Sequence, residues 1–340
     1  MSSPRPAPAR VPAATPARPT LPPLPTLPAH PALRPGTRWA RRGGGRWQVD
    51  LPPAGVVLDD GPGVAALLEA LAGAAVDDAV LTRLDAWPSP AGGPAARAVA
   101  ALLAAGLVVD GDAVLGSLAL RPAVTGSGAV LVRAAAWAAP HADGAAVLRR
   151  RAAATVLVTG SSPAAAPVLD LLLAAGCGGR LGPRDRPSRG VRPPDLVVGV
   201  AQGEPDRDEL GHWLRAGVAH LPVADHGVRA RVGPFTVPGA TGCVRCWDAR
   251  AAALDPARPL VASQHGGPPR GLLPPEDPAV RSLLVGWVVR DALAHLDGHR
   301  PATWSAVVEL EGPGRGGVPV PAVQPVPRHP HCGCAWDLAG

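Results

Sequence analysis

Four of the chain's five cysteines stand in two tight pairs. Cys243 and Cys246 lie in GCVRCWDAR, and Cys332 and Cys334 lie in the terminal HPHCGCAW. A CxxC turn aims two sulfurs at one ion, and a second pair from a distant segment completes a tetrahedron. Zn²⁺ takes four such ligands in closed structural sites. The pattern therefore predicts a structural zinc held by Cys243, Cys246, Cys332 and Cys334, with His329 and His331 as spare ligands. Such a site leaves no open position for water and predicts no metal catalysis. A redox dithiol is a competing reading, although no thioredoxin-like context surrounds CVRC. Packing alone is the third. The remaining thiol, Cys177 in AAGCGG, reads as a small buried residue.

A second stretch with chemical content is VTGSSPAAAP. It reads as the turn of a βαβ unit, with a strand over Thr155 to Thr159, Gly160, and a helix over Ala164 to Ala175. A nucleotide-binding loop needs glycines where backbone meets phosphate. Gly160 is present, but Ser162 and Ala164 or Ala165 occupy the next glycine positions, and Pro163 removes a backbone donor. Gly160, Ser161 and Ser162 are thus candidates for a degraded nucleotide site. Asp185, ending the second strand, stands where a ribose-binding acid would sit. A plain strand-to-helix turn is the alternative. His141, His212, His220, His226 and His265 are isolated and read as surface or core residues. Asp248 and Asp255 read as capping or ion-pairing groups.

These residues need a scaffold, and the chain is long enough for two domains. It has 340 residues, 47% of them hydrophobic, with net charge +6 and no lysine. The arginines are scattered and lack interleaved aromatics, which argues against a nucleic-acid groove. No apolar run spans a bilayer and no signal peptide is visible, so a cytoplasmic protein with reduced thiols is expected. Residues 1–32 read as a disordered Pro/Ala-rich tail. Residues 33–120 read as a small winged-helix-like α+β domain. It has strands around Gly43-Gly44-Gly45, a helix GVAALLEALAG capped by Asp60, helices DDAVLTRLDA and AARAVAALLAAG, then LVVD and a turn at Gly111-Asp112. Residues 121–152 read as a helical linker. Residues 153–340 read as a doubly wound α/β domain with a long helix DPAVRSLLVGWVVRDALAHLDG.

The segment GVAHLPVADHGVRARVGPFTVPGATGCVRCWDARAAALDP resembles the signature region of the ThiF/MoeB-type, ubiquitin-activating-enzyme-like family. With HPHCGC, LAAGCGGRLGPRD and the N-terminal RWQVDL, it is most similar to the branch found in azol(in)e-forming peptide biosynthesis. Those proteins bind leader peptides and partner a cyclodehydratase. The resemblance implies a Rossmann-like ThiF-type sheet with a C-terminal zinc knuckle, preceded by a peptide-recognition winged helix, and a homodimer. In active members ATP with Mg²⁺ adenylates the C-terminus of a small carrier protein. This chain departs from that pattern in its GSSPAA loop, its lack of lysine, and the ten residues between Asp185 and Leu196. The strand PDLVVGVAQG also lacks the acid expected for Mg-ATP. The expectation is a non-catalytic scaffold that binds a peptide and docks a modifying enzyme, with Arg38, Arg41 and Arg42 either reading acidic peptide residues or forming a solvated edge. An active adenylyltransferase is the alternative.

Overall fold

The computed structural model describes residues 27–51, 55–73, 93–119, 144–181, 192–265, 275–311, 321–330 and 332–334. They fall into two units that divide after Asp110, with Arg34–Gly36 grouped with the second.

In the first unit, β1 (Pro31–Leu33) pairs antiparallel with β5 (Val108–Asp110). Strands β2 (Trp39–Arg41), β3 (Arg46–Val49) and β4 (Val56–Asp59) form an antiparallel meander. Two helices, α1 (Val64–Ala72) and α2 (Pro94–Ala104), carry the apolar stripes that build the core. Val64, Leu67, Leu68 and Leu71 of α1 meet Val99 and Leu102 of α2 and Val49 of β3. The spacing of these residues announces the helices.

Two local expectations are corrected. Asp60 does not cap α1, whose N-cap is Gly63 with no side-chain cap. Asp60 instead accepts the Trp47 indole N–H at 2.8 Å and the Arg41 guanidinium at 2.8 Å. Arg41 also lies over the Trp47 ring, 4.5 Å from its centroid. A part-buried indole N–H needs an acceptor, and the β3–β4 pairing brings Asp60 to it. At the other end, Gly111-Asp112 opens helix α3 (Gly111–Ala119) and is not a turn. The helix expected over DDAVLTRLDA lies outside the described residues.

The second unit is built on a seven-stranded sheet. After α4 (Gly144–Ala153) come β6 (Thr155–Thr159), α5 (Ala165–Ala174) and β7 (Gly178–Leu181). Then follow β8 (Leu196–Gln202), α6 (Arg207–Arg215), β9 (His220–Asp225) and β10 (Arg229–Val232). Helices α7 (Val244–Leu254), α8 (Arg258–Gln264) and α9 (Pro278–Leu296) precede β11 (Ala306–Glu311) and β12 (Ala322–Pro325). The strand order is β12-β11-β10-β9-β8-β6-β7. From β7 to β9 the pairing is parallel, and from β9 to β12 it is antiparallel. The parallel strands are buried apolar runs, as strands covered on both faces must be. Val156, Val158, Val198 and Leu221 pack with Leu284 and Val288 of α9.

Polar groups fix the helices. Asp277 caps α9 by accepting the Ala279 N–H at 2.8 Å, and Asp206 caps α6 through Asp208 N–H at 2.9 Å. Within α9, buried Asp291 accepts the Ala302 and Thr303 N–H groups and the Thr303 hydroxyl, anchoring the loop before β11. Arg151 of α4 forms a two-pronged pair with Asp297 at 2.6 and 2.8 Å and reaches the Ala175 carbonyl at the end of α5.

His220 on β9 is buried, with Nδ1 2.9 Å from the Val218 carbonyl. Burial pushes its pKa down to about 4. The folded state therefore binds fewer protons than the unfolded state between about pH 6.5 and pH 4, so stability falls as pH falls through that window. The expected loss from this one imidazole is about 2 kcal/mol between pH 8 and pH 5. Urea unfolding at the two pH values should show it, and His220→Asn should shrink it.

Candidate metal centre and adjoining cleft

The β9–β10 hairpin hands the chain to α7, whose N-cap is Cys243. The first turn folds Cys246 back, its N–H donating to the Cys243 carbonyl at 2.9 Å. The C-terminal segment passes so close that a Cβ on Gly242 would stand 1.9 Å from the Val326 carbonyl oxygen. Only glycine permits that crossing. Arg328 straps the same corner by donating to the Gly239 and Cys334 carbonyls.

The four predicted ligands meet here. Cys243 and Cys246 are 3.8 Å apart at Sγ, Cys243 and Cys332 3.6 Å, and Cys246 and Cys334 3.3 Å. All four sulfurs lie within 4.8 Å of one another, and all four residues are buried. A ZnS₄ tetrahedron with bonds of about 2.3 Å has edges of about 3.8 Å. A disulfide needs about 2.05 Å, and every cysteine is free. His329, expected as a spare ligand, offers its backbone N–H to Cys246 Sγ at 3.3 Å and is not part of the sulfur set. His331 lies outside the described residues.

The electrostatics of the cluster suit a dication. A hydrogen bond from Cys243 pushes the Cys246 thiol down to about 4, and the same bond pushes Cys243 up. Burial pushes Cys334 up to about 12. Four thiolates at these distances need a cation between them. Cys177 is buried on its own, and burial pushes its thiol up to about 11, which leaves it unreactive.

The loop after β6 is closed by its own hydrogen bonds. Gly160 has φ +121°, and a Cβ there would stand 1.9 Å from the Val200 carbonyl oxygen. The buried Ser162 donates its N–H to that carbonyl at 3.1 Å and its hydroxyl to Asp225 at 2.5 Å. Its Oγ accepts the Ala164 N–H at 3.0 Å, and its carbonyl accepts the Ala165 N–H at 3.1 Å. Ser161 Oγ accepts the Gln202 N–H at 3.1 Å. Donors that would cradle a phosphate at the start of α5 thus point into the protein. Gly160, Ser161 and Ser162 come together as the sequence places them; Asp185 lies outside the described residues.

A group that the sequence does not announce sits beside β8. Glu204 follows the strand and is buried. Its Oε2 accepts Arg231 at 2.7 Å and Arg207 at 2.9 Å. Burial pushes its carboxyl up, but Arg231 and Arg207 outweigh that and hold it below the usual carboxylate range. Arg207 grips Asp248 of α7 through two hydrogen bonds, 2.9 and 3.1 Å. Asp248 is therefore an ion-pairing residue, and Asp255 is a cap that accepts the Ala257 N–H. Glu204 and Arg231 line a cleft of about 320 Å³ together with His226, Arg229, Arg258 and His265. The only sequence signal for this group is an acid directly after a buried strand. Arg207 is three residues from Glu204, Arg231 is 27 residues away, and Asp248 lies 41 residues from the Arg207 it holds.

No family model matches the chain, and no curated protein matches it. Its fold, a mixed α/β sheet flanked by helices, is shared with several solved structures at low sequence identity. MccB, a microcin C7 biosynthetic enzyme, was solved in complex with N-formylated MccA; it is 12% identical, with TM-score 0.60 over 89% of this chain and 99% of that one. Escherichia coli MccB with ATP is 14% identical, with TM-score 0.59 over 89% and 99%. The heterocyclase TruD is 16% identical, with TM-score 0.58 over 90% of this chain and 42% of that one. The ThiF-type resemblance read from the sequence thus meets a shared fold. Among the described residues, no helix is long and apolar enough to cross a membrane.

Proposed function

We propose that the chain is a non-catalytic ThiF-type scaffold that binds a leader peptide and docks a modifying enzyme in ribosomal peptide modification. The observation that carries this reading is the self-closed loop after β6. A nucleotide's phosphates would have to compete with Val200, Asp225 and the Ser162 hydroxyl for the same donors. Nucleotidyl transfer depends on positioning and charge stabilisation, and the chain has no lysine to supply it. Glu204, the acid nearest the end of β8, is already neutralised by two guanidiniums.

The winged-helix-like first unit is the peptide-binding part of this reading. A leader peptide would add a strand to an open edge of the β2–β3–β4 meander. Arg41 is spent on Asp60 and Trp47, and Arg42 donates to Gln48. Exposed Arg38 is the better placed to meet an acidic peptide. The second unit would dock the partner enzyme, dimerise, and hold a structural zinc at Cys243, Cys246, Cys332 and Cys334. That zinc would supply folding energy and no chemistry. The reading places the protein in the cytoplasm, where thiols stay reduced.

The test is calorimetry on the full chain. Mg-ATP is expected to give no binding heat, while acidic leader peptides bind. ATP–pyrophosphate exchange with a carrier protein would overturn the scaffold reading in favour of an adenylyltransferase.

A further inference from the structure

The helix that carries the first cysteine pair also grips the wall of the cleft. Directly after Cys246, Trp247 lies under Arg231, whose guanidinium carbon is 5.5 Å from the ring centroid. The next residue, Asp248, holds Arg207 by two hydrogen bonds. Arg207 and Arg231 share Glu204 Oε2, and His226 Nε2 stands 3.9 Å from Glu204 Oε1. The Glu204 N–H donates to the His265 carbonyl at 3.0 Å, which closes α8 over the cleft. The His226 N–H donates to Arg229 at 2.9 Å, and the Gly203 N–H donates to the Asp225 carbonyl at 2.7 Å. Every link in this path is a direct contact, and it runs from the sulfur cluster to α8.

We propose that the four-cysteine metal site sets the shape of the cleft through Asp248 and Trp247, with Asp248 as the positioning residue. The proposal rests on the metal reading of the cysteines. Metal fixes the first turn of α7, because two of the four ligands belong to it. With that turn fixed, Asp248 holds Arg207 where it can share Glu204 with Arg231. Without it, Arg207 loses its rigid partner, Glu204 gains freedom, and the hydrogen bond from Glu204 to His265 opens. Two part-buried ion pairs in series, Asp248–Arg207 and Arg207–Glu204, would carry the change from α7 to the cleft.

Native-state hydrogen exchange on the full chain tests this, after metal analysis has established one zinc per chain. Chelation should speed exchange of the Gly203, Glu204 and His226 amides by about tenfold or more, while the Val198 and Val223 amides in the sheet interior keep their protection. Asp248→Ala should do the same with zinc still bound. Alanine is the best helix former, so α7 itself is not weakened. Chelating the Asp248→Ala protein should add little at these three amides, and Asp248→Glu should restore part of the protection. The proposal is overturned if the three amides ignore either perturbation, if the two effects add in full, or if chelation exposes the whole sheet equally. A chain that binds no zinc overturns it together with the metal reading. In that case slow exchange lost only in Asp248→Ala would show a fixed structural role for the aspartate.

Discussion

Cys246→Ser is expected to release the zinc and to lower the melting temperature of the second unit by at least about 6–12 °C. Cys246 is fully buried and is the hub of the cluster. It touches Cys243 and Cys334 through sulfur and accepts the His329 N–H. A serine oxygen is harder, shorter, and a poor match for a site shaped by sulfur. Structural zinc contributes folding free energy directly, so losing it is expected to cost at least about 3 kcal/mol. At about 2–4 °C per kcal/mol for a unit of this size, that gives the stated shift. Metal analysis and calorimetric melting with and without chelator check it. Cys177→Ser is the control and should keep its zinc, because Cys177 lies in the core away from the sulfur cluster. Melting curves that ignore both the substitution and the chelator would leave the cysteines as packing residues.

Arg151→Ala is expected to be nearly as damaging, with about 3–5 kcal/mol lost on urea unfolding. The side chains of Arg151 and Asp297 are 9% and 12% exposed, so removing one partner strands a charge away from water. Arg151 also satisfies the carbonyl of Ala175 at the C-terminus of α5, a position where a positive charge is favoured. The double substitution Arg151→Met with Asp297→Leu separates the cost of a stranded charge from the worth of the pair. It should recover much of the loss, because buried ion pairs are often replaceable by apolar pairs of similar size. If the double variant is as unstable as the single one, the damage comes from lost shape and not from stranded charge.

How far these features could be read in advance depends on the range of the interactions that make them. The sulfur cluster was legible because metal ligands have rigid spacing within each pair, and four sulfurs in so few cysteines leave few other uses. The helix α9 and the βαβ start were legible because apolar period and turn chemistry are local. Two of the failures come from partners that arrive from elsewhere in the chain. Asp60 follows a strand and precedes a helix, which is a capping position by local rule, but the indole of Trp47 arrives from another strand and takes it. Glu204 reads as an ordinary acid in a loop until Arg231 and Arg207 fold onto it. Gly111-Asp112 reads as a turn by composition, yet the chain turns into α3 there. The closure of the loop after β6 was half legible. Pro163 and the missing glycines make it a weak phosphate cradle by sequence, with a plain strand-to-helix turn as the alternative, but only the fold shows Asp225 at the end of β9 taking the Ser162 hydroxyl.

The crossing of Gly242 under Val326 has a consequence for the order in which the protein can be made. Cys243 and Cys332 are 89 positions apart. At ribosomal speeds of about 5–20 residues per second, the first pair waits on the order of five to twenty seconds for its partners. For most of that time α7 carries only half of the cysteine cluster, Gly242 lacks the Val326 carbonyl against it, and the sheet still awaits β11 and β12. The knuckle therefore cannot close until Cys332 and Cys334 have been made, after every strand of the sheet.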